Sequence, residues 1–466
     1  HRSNAWTWSG GGNDQHSTRL HTCALKIFFA SALGCFHHSV HMRMFVLGAL
    51  WLSFLGSLNF DPTAEAFADT NILNKVRVSL PLVLGLGYVV WRLIFCWEGK
   101  AQVQALFIVS SLYPVMLILA NFYNGLSASY YFFPAIMVGV ICVASHIKSE
   151  SHKDYDSGLL TKVLLSLTFI FLLVAFLTFF IRDLQFSFTE GIFLGYRSFE
   201  LNLVFLQDLM IAPRSTGMAR TATVLFGFTF IFYLYFTRFR KASIALSVLF
   251  IFSWLYYQSR GQIVMIMAGL LWLALVTKKT VRDRFVSGLK LVLLLSVLIF
   301  ILYLVFASFY DNYASLKYRD YPLFRDFSGF LKLPTGGRVE IWVEALSKID
   351  IHNFLGYGVQ ADRTILAGKS AHNGFLYALM SGGVFGLIAF CALYIASLGV
   401  VLVSVIRAKN GVLLKFTEVL SGFIITCLLV RVFFETGFAI FGIDYILLLM
   451  SIFSFPSNNY QVFATR

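Results

Sequence analysis

Apolar runs of about membrane-spanning length recur along this chain, beginning near Met44, Ser79, Val103, Leu126, Leu159, Thr221, Ala242, Gly261, Val286, Gly374, Phe416 and Gly437. A backbone in lipid must satisfy every N–H and C=O internally, so runs of about 20 apolar residues become helices. The expected fold is therefore an all-α integral membrane protein with about 12 transmembrane helices. Charge density agrees: 13% of residues are charged, against roughly a quarter in a soluble protein. Fifty phenylalanines suit lipid-facing helices better than any soluble core of this length.

The net charge of +14 could suggest nucleic acid, but the basic residues sit in short loops between apolar runs, the pattern of topology signals. Lys148 and Lys153, then Arg238, Arg240 and Lys241, then Lys278, Lys279, Arg282 and Arg284, then Arg407, Lys409 and Lys415 all fall on one side of the helix count. Positive charge is retained in the cytoplasm, which puts both termini there. No nucleic-acid partner is expected. Six scattered cysteines lack metal or redox spacing and read as small hydrophobes.

The opposite side receives 61–77, 182–220, the turn at 258–260 and the long segment 310–371. That last segment carries eight Lys or Arg against seven Asp or Glu, so its charge does not hold it inside. Its amphipathic stretch 339–349 predicts a short helix lying over the bundle. The chain then divides into an atypical tail at 1–43, transmembrane helices 1–9 at 44–308, a large periplasmic loop at 309–372, helices 10–12 at 373–458 and a cytoplasmic tail at 459–466. Six of the ten histidines fall in the first segment, which reads either as a poor soluble tail or as sequence ahead of a start at Met42 or Met44.

A chain this apolar has few places for chemistry, and the segment 336–386 is the best of them. It places Gly336-Gly337-Arg338-Val339-Glu340-Ile341-Trp342, Gly356-Tyr357-Gly358, His372-Asn373-Gly374 and Gly382-Gly383-Val384-Phe385-Gly386 together. Arginines on the outer side need a reason, because topology disfavours them there. Arg197, Arg214, Arg220, Arg260 and Arg338 stand in small apolar-flanked turns, Arg260 and Arg338 beside glycine. A guanidinium binds phosphate oxygens bidentately and stays charged, and it can equally pair with a carboxylate or a lipid headgroup. His372 at a helix mouth can take a proton from a sugar hydroxyl, or simply cap the helix. Asn373 can cap it too, and Gly383 and Gly386 can serve helix packing. His352-Asn353 competes with His372 from inside the loop. Arg431 and Glu435, spaced i,i+4, read as a helix-end ion pair, with Asp444 opening the next helix.

The Gly-Arg-x-x-x-Trp segment, the Gly-Tyr-Gly turn, His372-Asn373 and Gly383-x-x-Gly386 together resemble the O-antigen ligase and polymerase superfamily. Ser259-Arg260-Gly261 and the hairpin from Arg431 to Asp444 extend the resemblance over roughly residues 200–450. It implies a GT-C-type glycosyltransferase of the bacterial inner membrane with its site on the periplasmic face. The donor would be a glycan on undecaprenyl diphosphate and the acceptor lipid A-core or a growing glycan, within membrane lipid. By the resemblance, Arg260, Arg338 and Arg214 bind the diphosphate and His372 acts on the acceptor hydroxyl, supported by Asn373, Gly383 and Gly386. Departures stand at Arg214, which lacks a following Asn-Pro, and in the gap between Arg338 and Gly356. The expected mechanism is inverting and metal-independent, with no cofactor. A repeat-unit polymerase differs only in acceptor; a lipid-linked sugar transporter would need ionisable residues near the midplane and related halves.

Overall fold

The structure is a computed structural model that describes residues 101–150, 158–180, 201–202, 210–211, 215–257, 260–277, 279–311, 338–350 and 352–455. The expected helices near Met44 and Ser79, the tail 1–43 and the segment 459–466 lie outside the described residues. Every other expected run coincides with a helix. These are α1 (Ala101–Tyr123), α2 (Phe132–Glu150), α3 (Gly158–Phe180), α4 (Ser215–Tyr235), α5 (Arg240–Tyr257), α6 (Arg260–Val276) and α7 (Lys279–Asp311). The amphipathic stretch becomes α8 (Arg338–Lys348), followed by the short α9 (Ala361–Ile365). Then come α10 (Gly374–Lys409), α11 (Phe416–Arg431) and α12 (Ile443–Phe453). Among the described residues the architecture is all-helical apart from one unforeseen antiparallel pairing, β1 (Leu201–Asn202) with β2 (Met210–Ile211).

Among the described residues, Ala105–Tyr123 of α1 and all of α10 are long and apolar enough to cross a membrane. At 1.5 Å per residue the 36 residues of α10 run about 54 Å, well beyond a hydrocarbon core of about 30 Å. Phe385, Ile388, Ile395, Leu402 and Ile406 form an exposed apolar stripe down α10, while its other face packs on α1 and α11.

α11 is the hub, packing on α6, α4, α10 and α12. Glycines let these helices approach closely, which matters where lipid supplies no hydrophobic drive for helix association. The fully buried Phe423 ring occupies the space a Cβ would take at both Gly227 of α4 and Gly269 of α6. Trp272 lies likewise over Gly422. The far ends of α10 and α11 are clasped by an ion pair between Arg407 and the buried Glu418, whose other oxygen accepts from Lys415 N at 2.7 Å.

Near its start α10 breaks at Gly383, where φ 63° and ψ −160° belong to a region essentially reserved for glycine. The Gly-Tyr-Gly turn fills the break. Tyr357 N donates to Met380 O and Gly358 N to Ser381 O, each at 2.9 Å, and Phe385 N returns to Phe354 O at 3.3 Å. A Cβ at Gly383 would collide with the Phe354 carbonyl, and one at Gly356 with the Gly383 backbone. The two glycine motifs are thus halves of one backbone joint. Asn121 and Asn124 at the end of α1 secure its loop side through Val359 N at 2.8 Å and Gly356 O at 2.9 Å.

Candidate functional site

At the end of the bundle where α10 begins, Asn373 is the N-cap, its Oδ1 accepting from Leu376 N at 3.0 Å. Gly374 N donates to Val432 O at 2.8 Å, tying that cap to the end of α11. His372 immediately precedes the cap with φ 47°, a left-handed conformation that a residue with a Cβ disfavours. Strain of this kind persists only where the surroundings over-determine it. The ring emerges partly exposed and meets Glu435, with Nδ1 3.1 Å from Oε2.

Glu435 bridges two partners. Its Oε1 accepts from Arg338 Nη2 at 3.1 Å, while Oε2 faces His372. Burial pushes the Glu435 carboxyl up, but the His372 hydrogen bond and the charges of Arg431, His372 and Arg338 outweigh it and hold the group down at about 2. An ionised carboxylate only accepts hydrogen bonds, so His372 must donate from Nδ1. In the neutral imidazole Nε2 is then left with its lone pair, free to take a proton.

Arg338 is the first residue of α8, where a cation opposes the helix dipole; Glu340 in the first turn and Lys348 in the last are the favourable choices. Arg338 therefore does not serve its own helix. A second group of charges lies deeper. Asp444, in the first turn of α12, receives two guanidinium groups on Oδ2: Arg431 Nε at 3.0 Å and Arg220 Nη1 of α4 at 3.4 Å. Arg431 Nε is close enough for an ion pair but misaligned for a hydrogen bond, and Arg431 Nη1, Arg220 Nε and Asp444 Oδ1 are buried without hydrogen-bond partners. Three arginines thus face two carboxylates, and the charge of Arg431 also reaches Glu435.

Two further side chains hold the segment that presents His372. Trp342 Nε1 donates to Ala371 O at 2.9 Å, and Asp362 accepts from Ala371 N at 3.1 Å and from Arg363 N at 3.0 Å. Burial pushes the Asp362 carboxyl up, opposed by the bond from Ala371 and by Arg363.

Of the residues anticipated from sequence, His372, Arg338 and Asn373 come together here, and Gly383 sits at the joint beneath them. Gly386 lies buried beyond it, where a Cβ would press on Ala378 O at 3.1 Å. Arg260 opens α6 as expected, though its side chain lies outside the described residues, as does all of Arg214. His352 is exposed on the loop and engages through its backbone, its N donating to Asp350 Oδ1 at 2.9 Å and its O accepting from Phe354 N at 3.1 Å. The reading of Arg431 and Glu435 as a pair is corrected: Glu435 lies past the end of α11 and turns to Arg338 and His372, leaving Arg431 to Asp444. The contacts of Arg220 with Asp444, and of Asp362 with Ala371, were missed because no local spacing announces partners 224 residues apart or a carboxylate in a loop helix.

Apolar spanning helices with a polar, arginine-rich cluster at one end define a helical membrane protein with a built site at that end. Residues 245–391 match the family model described as O-Antigen ligase. No curated protein matches the chain. The matched stretch runs from α5 into α10 and includes His372 and Arg338. Arg220, Arg431, Glu435 and Asp444 lie outside it.

Proposed function

We propose that this protein is a glycosyltransferase that moves a glycan from undecaprenyl diphosphate to an acceptor hydroxyl, of lipid A-core type, on the periplasmic face of the bacterial inner membrane. The observation that carries this reading is the Arg338–Glu435–His372 chain, which leaves a basic Nε2 beside surplus arginine charge. The acceptor oxygen attacks the anomeric carbon, and its proton passes to His372 Nε2. The bond from that carbon to the diphosphate oxygen breaks on the opposite face, inverting the centre. Glu435 stabilises the imidazolium that forms.

The departing diphosphate carries the electron pair and needs cations already in place. Arg338 stands at the exposed edge for this role, with Arg220 and Arg431 behind it offering buried donors that lack partners. Arg260 and Arg214 remain proposed members of the same clamp, and the step uses no metal. In this reading the chain crosses the membrane about twelve times in a GT-C arrangement, both termini are cytoplasmic and 309–372 is the periplasmic loop.

Lipopolysaccharide from cells lacking the gene tests the reading. Loss of every O-antigen band with intact core supports transfer to core; a single repeat unit on the core assigns the same site to polymerisation. Complementation by His372→Ala with a normal glycan ladder would sink the catalytic assignment.

A further inference from the structure

The backbone N–H and C=O of Ala371, which belong to the two peptide units flanking it, are both held by side chains. Ala371 is fully buried in a small cluster with Ala345, Leu366 and Leu376, away from water. Buried N–H and C=O groups must find partners, and helices or sheets normally supply them. Here Asp362 takes the N–H and Trp342 the C=O. The next residue is His372, in the left-handed conformation, with Asn373 already committed as the α10 cap.

Trp342 stands four residues after Arg338 on α8, one helical turn along the same face. One turn of α8 therefore reaches His372 twice, through Arg338 and Glu435 to the ring and through the indole to the peptide before it. This arrangement gives a physical reason for the Gly-Arg-x-x-x-Trp spacing. It also explains what over-determines the strained backbone. With the clamp released, the segment from Ser370 to His372 can relax toward right-handed conformations, and the ring then leaves Glu435.

We infer that Trp342 and Asp362 are positioning residues that clamp the backbone of Ala371 and so hold the His372 ring against Glu435 with Nε2 presented for proton transfer. The inference rests on the proposed role of His372 as base. Neither side chain need touch substrate.

The test uses the full chain in proteoliposomes with a synthetic polyprenyl-diphosphate saccharide as donor. Two acceptors are compared, a disaccharide and its analogue fluorinated beside the reacting hydroxyl, which is more acidic. Turnover is normalised to donor bound per protein molecule, so misfolded material drops out. Trp342→Phe removes the N–H while keeping an aromatic ring; Asp362→Ala removes the acceptor; Asp362→Asn keeps an oxygen for Ala371 N. A misplaced base predicts that Trp342→Phe and Asp362→Ala lower kcat by about 100-fold with KM unchanged. The loss is smaller for the acidic acceptor, which needs less help from a base. Asp362→Asn should restore most of the rate. Equal losses with both acceptors, or wild-type kcat in both variants, would overturn the clamp. His372→Ala separates the two levels: if it still turns over, the base assignment fails, whereas a dead His372→Ala beside a normal Trp342→Phe removes the clamp alone.

Discussion

Glu435→Gln is the sharpest perturbation of the proposed machinery, because it changes one atom and its outcome follows from the neighbours. Arg338 Nη2 sits 3.1 Å from Oε1 and can only donate, so it selects the amide oxygen at that position. The amide nitrogen then faces His372 Nδ1 and also donates. Nδ1 must accept, the ring proton moves to Nε2, and the base is lost in its neutral form. Two magnitudes bracket the effect. Lowering the carboxyl from the usual 4.5 to about 2 corresponds to about 3 kcal/mol of favourable surroundings for the anion, or roughly 100-fold in rate if all of it is realised in the transition state. Removing the carboxylate beneath a histidine base through the wrong tautomer reaches about 10⁴-fold. We expect kcat to fall between these bounds, with donor affinity little changed because the arginines remain. Single-turnover transfer in proteoliposomes reads the chemical step, and donor binding is measured separately. Glu435→Asp, which keeps the charge but shortens the reach, should retain more activity than Gln. Turnover of Glu435→Gln within about tenfold of wild type would refute the tautomer argument.

The same carboxylate makes an acid-stability prediction. Its folded pKa lies below its unfolded value, so its contribution is fully present above about pH 4.5 and is lost as pH falls toward about 2. The stability difference between wild type and Glu435→Gln, about 3 kcal/mol near neutrality, should shrink across that range in detergent unfolding; a difference independent of pH contradicts the assignment. Gly383→Ala should lower the melting temperature sharply, since the ψ and the Phe354 carbonyl both exclude a Cβ, while Gly382→Ala, whose Cβ would meet only Leu117 at 3.8 Å, should be close to neutral. Equal effects at the two glycines would refute the joint. Asp444→Ala leaves Arg220 and Arg431 buried without their shared counter-ion and should destabilise by about 3–5 kcal/mol. An unchanged unfolding profile would show that the trio is not closed in the folded protein.

The helices were legible because lipid imposes a simple rule on sequence, and each run from Val103 onward within the described residues became a helix near its expected start. The stretch 339–349 was legible for a related reason: its 3.6-residue pattern records one face against the bundle and one away from it. His372, Asn373 and Arg338 stood out because polar residues beside glycine at a helix mouth are conspicuous in an apolar chain. The partner of His372 did not stand out. Glu435 lies 63 residues away, and its i,i+4 relation to Arg431 offered a sufficient local explanation. The backbone keeps that relation, Glu435 N still donating to Arg431 O at 2.9 Å, but the side chains part, Arg431 to Asp444 and Glu435 to Arg338 and His372. The glycines were under-read for the opposite reason. Packing between helices would account for Gly383 and Gly386 one at a time, yet the Gly356 and Gly383 backbones meet directly, a fact carried by two segments that periodicity treats separately. Pattern reports what each residue asks of its own helix. The site is assembled from residues such as Arg338, whose charge does nothing for its helix, and Glu435, which lies beyond the end of one.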